Sequence, residues 1–230
     1  MLLQIDILTL FPGMFKGVFE ESIIKRAIIA KKIKIKIYNL RDWSKNKHRK
    51  VDDKPYGGGC GMVMNCQPIF DAVEELSLKR KAKSAKLRII LLSPQGKKLD
   101  QKLAQRLAKY KRLILICGHY EGIDERVRQA LVDEEVSIGD YVLTGGEIPA
   151  MALVDAVTRL IPGVLGHKDS NKDESFSEGI LEYHQYTRPA VYKRLKVPQA
   201  LLTGNHDKIK KWRIEQARKI TCQKRPDLIK

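Results

Sequence analysis

The sequence predicts an α/β fold with a largely parallel sheet, followed by a small basic helical module. Three observations predict it. Apolar runs of strand length alternate with stretches of helical period, most of those runs read as buried strands, and turn-forming residues follow them.

Each element has its own warrant. Residues 2–10 form a buried apolar run of strand length. Residues 14–30 carry Phe15, Val18, Phe19, Ile23 and Ala27 at helical spacing, which predicts one continuous helix. Ile33, Ile35 and Ile37 alternate with Lys32, Lys34 and Lys36, the pattern of a half-exposed strand with one charged face. Residues 41–61 read as a single long loop, basic first and glycine-rich last. Pro68 opens a helix that runs to Leu78, because the first helical turn tolerates proline, and 79–86 reads as a solvated basic connector. Two short buried strands, 88–92 and 113–117, flank a helix with Asp100 as its N-cap. From Gly146 to Ile161 a helix is expected to bury Ile148, Ala152, Ala156 and Leu160.

Domain organisation follows from where periodicity stops. Residues 1–161 make the α/β domain, and 162–179, polar and glycine-containing, reads as an exposed linker. Residues 180–230 are rich in helix formers and cations, among them Lys208, Lys210, Lys211, Arg213, Arg218 and Lys219 around Trp212. They are expected to form a basic, RNA-binding helical domain.

Composition limits the function classes. A net charge of +17 on 230 residues favours a polyanionic partner, nucleic acid above all, although lysine used only as a solubiliser would give the same excess. No apolar run approaches the roughly 20 residues that span a bilayer, and residues 1–10 lack the basic flank and cleavage site of a secretory signal. A cytoplasmic protein without membrane association is expected. Cys60, Cys66, Cys117 and Cys222 include no C-x-x-C pair and suit neither a disulfide framework nor, with the five histidines, a zinc site.

The chemistry is suggested by three loops that follow strand-like runs: Ser93-Pro94-Gln95-Gly96, Gly118 to Gly122, and Gly139-Asp140-Tyr141 continuing to Thr144-Gly145-Gly146. Ligands of open parallel sheets bind outside the carboxyl ends of strands, and glycine lets a ligand approach the backbone. Any one of these loops reads equally as a tight connection; three together point to a site. Neither G-x-G-x-x-G nor the Walker pattern is present, so the residues alone lead to a nucleotide-type cleft and a basic RNA-binding surface.

Six segments, VDDKPYGGG at 51–59, LSPQG at 92–96, CGHYEGIDER at 117–126, SIGDYVL at 137–143, IPGVLG at 161–166 and YTRP at 186–189, resemble the bacterial tRNA (guanine-N1)-methyltransferase family and occur in its order. The resemblance implies a SPOUT-type sheet with a deep trefoil knot, a homodimer with active sites at the subunit interface, and a C-terminal helical domain. It implies methyl transfer from S-adenosylmethionine to N1 of the guanosine immediately 3′ of the anticodon, position 37 of tRNA, with Mg2+ required. A related methyltransferase of this fold acting on another RNA nucleoside, and a non-catalytic RNA-binding protein, are the alternatives.

The same resemblance assigns the cofactor site to Leu91, Leu92, Ser93, Pro94, Gln95, Gly96, Gly118, Tyr120, Glu121, Ile138, Gly139, Asp140, Tyr141, Val142, Leu143, Gly145, Gly146 and Pro149. Glu121 is implied to orient the cofactor or Mg2+, whereas His119 reads as a packing residue. Arg159 is implied to stabilise charge on guanine O6. The family's catalytic aspartate precedes a Ser-Phe pair; this chain reads Asp173-Glu174-Ser175-Phe176, so Glu174 stands in register as the base with Asp173 as the alternative. Cys60 stands where the family usually has proline, which should loosen the glycine-rich turn and leave its RNA contact intact.

Overall fold

The computed structural model describes residues 2–78, 86–166, 174–177 and 179–229. Most of the basic connector expected at 79–86, and residues 167–173 and 178 of the linker, Asp173 among them, lie outside the described residues. The chain divides into two compact units, Met1–Leu165 and Gly166–Lys230.

The first unit contains the strands β1 (Leu3–Thr9), β2 (Ile33–Asn39), β3 (Asp52–Asp53), β4 (Val63–Met64), β5 (Leu87–Lys98), β6 (Arg112–Cys117) and β7 (Glu134–Ser137). Its helices are α1 (Ser22–Ile29), α2 (Cys66–Leu78), α3 (Gln101–Leu107), α4 (Glu125–Leu131) and α5 (Glu147–Thr158). Five strands form one sheet in the order β2-β1-β6-β5-β7, every pairing parallel. This is the α/β architecture the alternation predicts.

Period-two alternation sends the side chains of the central strands into two cores. Leu3, Ile5, Ile7, Ile90, Leu92, Leu113 and Leu115 face one side, where α1, α3 and α5 cover them. Leu8, Leu91, Ile114 and Ile116 face the other, against α2 and α4. With both faces covered, the strands read as continuous apolar runs. Asp6 is the charged exception, with Thr9, Ser93 and Ser137 as buried neutral ones. Its fully buried carboxylate accepts from Arg112 Nε at 2.6 Å and from Gln4 Nε2 at 2.9 and 3.0 Å. Arg112 also donates to the Leu76 carbonyl at 2.7 Å, tying β6 to α2.

Caps set several helix starts. Asp100 accepts from Leu103 N at 2.7 Å ahead of α3, and Asp124 from Arg126 N at 2.9 Å ahead of α4. α2 begins two residues before Pro68, which therefore lies in the first turn, where its missing N–H costs nothing.

Four expectations are corrected. The helix expected over 14–30 is a single 3-10 turn, Pro12–Phe15, and then α1, because Gly17 adopts a left-handed φ of 83° that breaks the path. The loop expected over 41–61 contains a 3-10 turn, Leu40–Trp43, and β3, which pairs antiparallel with β4. The strand expected to stop at Leu92 leaves β7 at 93–96 and rejoins it at Lys97 and Lys98. α5 buries Ala150, Leu153, Val154 and Val157 with Glu147 and Thr158, while Ile148 and Ala152 are exposed. Apolar residues nearly encircle this helix, so spacing by four does not select its buried face.

The second unit carries β8 (Val191–Tyr192) and β9 (Leu195–Lys196), a hairpin, then α6 (Gln199–Leu202) and α7 (His206–Lys224). Ala217, Ile220 and Thr221 of α7 form its buried contact, and the Thr221 hydroxyl accepts from Leu181 N at 2.9 Å. Among the described residues, no helix is long and apolar enough to cross a membrane.

Candidate active site

The excursion of β5 at 93–96 and the loops at the carboxyl ends of β6 and β7 enclose a cleft of about 270 Å³. Its walls are Leu91 to Gln95, Gly118 to Ile123, Val136 to Gly139, Tyr141 to Gly146, and Pro149 from the first turn of α5, with Arg128 from α4. This is the crevice expected of an open parallel sheet, and its volume is close to the roughly 300 Å³ at which small-ligand pockets begin.

Glycine makes the convergence possible. A Cβ on Gly146 would stand 2.7 Å from the Cα of Cys117, so α5 starts with its backbone against the end of β6. Gly146 N donates to the Gly118 carbonyl at 2.8 Å, closing that contact. A Cβ on Gly139 would fall 2.4 Å from the Tyr141 ring, which folds back over the loop. Ser137 stiffens the same turn, its hydroxyl bonding both the carbonyl and the N–H of Gly139.

β4 braces the Gly118 to Gly122 loop. Glu121 N donates to the Met62 carbonyl at 3.0 Å and Met64 N to the Gly122 carbonyl at 2.9 Å. Gly61 lies so close to Glu121 that a Cβ there would overlap the carboxylate, at 2.4 Å. Tyr120 holds a left-handed φ of 59°, with the Asp52 carboxylate near its hydroxyl. Burial first, and the Asp52 charge second, raise the Tyr120 hydroxyl above its ordinary pKa. The His119 ring packs between Phe11, at 4.9 Å, and Tyr120, at 5.0 Å, with Nδ1 buried and unpartnered among the described residues.

Behind the cleft, Glu147 is 1% exposed in the first turn of α5 and accepts from the Thr9 hydroxyl at 2.6 Å. The helix N-terminus favours a carboxylate there. Burial and the Glu147 charge push the Cys117 thiol well above its usual pKa, so it is an inert packing group and not a nucleophile.

Of the residues the resemblance assigned to the cofactor site, two are absent from the cleft walls. Gly96 backs onto β7, where a Cβ would come within 2.4 Å of Val136 N, and exposed Asp140 pairs with Lys98. Arg159 ends α5 as its C-cap, thirteen residues beyond Gly146. Pro149 is the last residue of α5 in the cleft wall, so at about 1.5 Å per residue Arg159 stands roughly 15 Å along the helix from the cleft. Glu174 belongs to the second unit, where its carbonyl accepts from the N–H and hydroxyl of Ser177. Arg128, which sequence reasoning missed, pairs with Glu125 at 2.8 Å and Glu135 at 3.0 Å. Its only signal in the sequence is its place on the helix after the Gly118 to Gly122 loop.

The chain matches the family described as tRNA (Guanine-1)-methyltransferase TrmD over residues 3–230. It belongs to that family. The methyltransferase from Geobacillus kaustophilus, a tRNA (guanine-N(1)-)-methyltransferase, is 56% identical over 227 residues, covering 99% of this chain and 91% of the relative. The enzymes of the same name from Bacillus subtilis and Endomicrobium trichonymphae are 54% and 51% identical, each over 99% of this chain and over 93% and 100% of their own length. Membership of a methyltransferase family implies S-adenosylmethionine as methyl donor.

The cleft fits that molecule. Leu91, Leu92, Ile123, Val136, Leu143 and Pro149 supply apolar walls for a flat base, the close-packed glycine loops present backbone polar groups, and Glu121 offers a carboxylate to the ammonium or ribose end. A protein-held Mg2+ fits less well. Among the described residues no three His, Cys, Asp or Glu converge as a metal site.

Proposed function

We propose that this chain transfers the methyl group of S-adenosylmethionine to N1 of guanosine 37, immediately 3′ of the tRNA anticodon. The observation that carries the reading is the family match over residues 3–230, with the cleft of that family's cofactor type at the sheet end. The methyl donor binds against the walls formed by Leu91 to Gln95, Gly118 to Glu121, Ile138, Gly139 and Tyr141 to Leu143, with Gly145, Gly146 and Pro149 beneath it. When bound, it supplies a sulfonium-activated methyl group.

The protein's task is then to orient guanine and remove a weakly acidic proton from N1. Glu174 accepts that proton, with Asp173 as the alternative carboxylate. Arg159 donates to O6, where negative charge accumulates as N1 is deprotonated; a guanidinium stays charged and offers several donors. Its distance along α5 from the cleft of its own chain supports a homodimer in which each Arg159 serves the partner's site. Val142 at 86% exposure and Ile148 at 45%, both beside the cleft, suit such an interface. The trefoil knot, a Mg2+ requirement met with ligands beyond these side chains, a cytoplasmic location and tRNA binding by residues 180–230 belong to the same proposal.

Incubation with labelled S-adenosylmethionine and unmodified tRNA, followed by nucleoside analysis, tests it. N1-methylguanosine is the expected product. A different methylated nucleoside would favour a related methyltransferase with another target, and no binding of S-adenosylmethionine by calorimetry would favour a non-catalytic RNA-binding protein.

A further inference from the structure

The β8–β9 hairpin has a turn that its residues do not favour. Val191 pairs with Lys196 and Tyr192 with Leu195, so the turn is the two residues Lys193 and Arg194. Their φ values are 46° and 69°. A two-residue hairpin turn with left-handed φ at both positions is the place for Asn-Gly or Gly-Gly, because a Cβ crowds the backbone there. Packing does not compensate for the strain. Val191, Tyr192 and Leu195 are 53%, 60% and 75% exposed.

What the tip supplies is charge. From Tyr183 to His206 the chain holds no Asp or Glu, while Arg188, Lys193, Arg194 and Lys196 are all cations. The Lys193 ammonium lies 5.5 Å from the centroid of the Tyr192 ring. An exposed aromatic ring beside exposed cations, with no acid between them, matches the face of an RNA strand: phosphates for the cations, a base or ribose for the ring. Strain retained at an exposed turn marks a functional constraint.

We propose that the tip of the β8–β9 hairpin is a docking prong for the substrate tRNA, with Lys193, Arg194 and Lys196 on backbone phosphates and Tyr192 against an adjacent nucleoside. The proposal rests on the tRNA methyltransferase reading above. A second copy of this chain is the poorer occupant, because with a net charge of +17 it is disfavoured at a cationic tip, which attracts a polyanion.

The test uses the full chain and unmodified tRNA. The double substitution Lys193→Asn with Arg194→Gly installs the turn that the geometry favours, so Tm should be equal to wild type or higher. The Kd for tRNA should nevertheless rise about ten-fold near 0.15 M salt, and the plot of log Kd against log salt should flatten by about 1.4 to 1.8, since each lost phosphate contact removes about 0.7 to 0.9. Lys196→Gln leaves the turn untouched and should flatten the plot by about half as much. Wild-type affinity and slope in both variants would overturn the proposal. So would an altered oligomeric state with tRNA affinity intact, which would make the tip a protein contact. If the wild-type chain bound no tRNA, the underlying reading would fail with it, and the control lane alone would reveal that.

Discussion

Gly96 has no side chain because β7 occupies the space where one would go, and Gly96→Ala measures how much the cleft depends on that contact. The added Cβ would stand 2.4 Å from Val136 N, 2.5 Å from the Glu135 carbonyl carbon and 2.7 Å from that of Val136. Non-bonded carbon contacts are optimal near 3.5 to 4.0 Å, so the two backbones must separate by about 1 Å. Neither side can yield by rotating a side chain. β7 is paired to β5 on both sides of the excursion, at Leu92 and again at Lys97, so separation breaks the second pairing and shifts Ser93 to Gln95 out of the cleft wall. Overpacking of this kind costs about 2 kcal/mol, and each lost hydrogen bond adds about 1 kcal/mol. For a chain of this size that lowers Tm by roughly 5 to 10 °C. Thermal unfolding with and without S-adenosylmethionine is the assay, with calorimetry for affinity; the expected result is the lower Tm together with at least about ten-fold weaker cofactor binding. A Gly96→Ala protein with wild-type Tm and wild-type affinity would refute the reasoning.

Three more outcomes follow from the same physical picture. Asp6→Ala strands the Arg112 guanidinium beneath α2, a loss of about 3 to 5 kcal/mol that urea unfolding reads as a lower midpoint at constant slope; a change below about 1 kcal/mol would show that the pair is dispensable. The Arg126 guanidinium beside Asp124 holds its carboxyl below the ordinary range, so this pair adds stability above the unfolded pKa near 3.9 and loses it as pH falls through the lower folded value. Asp124→Asn should therefore be less stable than wild type at pH 7 and converge with it in acid, and parallel Tm curves from pH 7 to 2 would contradict this. Glu174→Gln should lower kcat by at least about 100-fold while leaving S-adenosylmethionine affinity unchanged, and full activity would reject it as the base.

The central sheet was legible because strands buried on both faces are mostly apolar, as Leu113 to Cys117 are throughout and Leu3 to Leu8 are except at Gln4 and Asp6. The cleft loops were legible for a related reason: they carry glycine where neighbours crowd the chain, at Gly139, Gly145 and Gly146. What escaped notice lacks a local signature. β3 and β4 are two residues each and are defined by pairing alone. The β8–β9 turn is built from Lys193 and Arg194 instead of Asn-Gly, so its sequence carries no hairpin signal. α5 is apolar on nearly every side, and its buried face is chosen by the sheet it meets. Asp140 and Gly96 belong to loops that build the cleft, yet a motif match cannot tell a wall from its support.

The position of the transferred methyl group is the most direct measure of function. Two unmodified tRNAs, identical except for G or A immediately 3′ of the anticodon, would be incubated with the chain and labelled S-adenosylmethionine, digested and analysed. N1-methylguanosine is expected from the G substrate, with no incorporation into the other. Equal labelling of both, or none of either while tRNA and S-adenosylmethionine both bind, would contradict the proposed function.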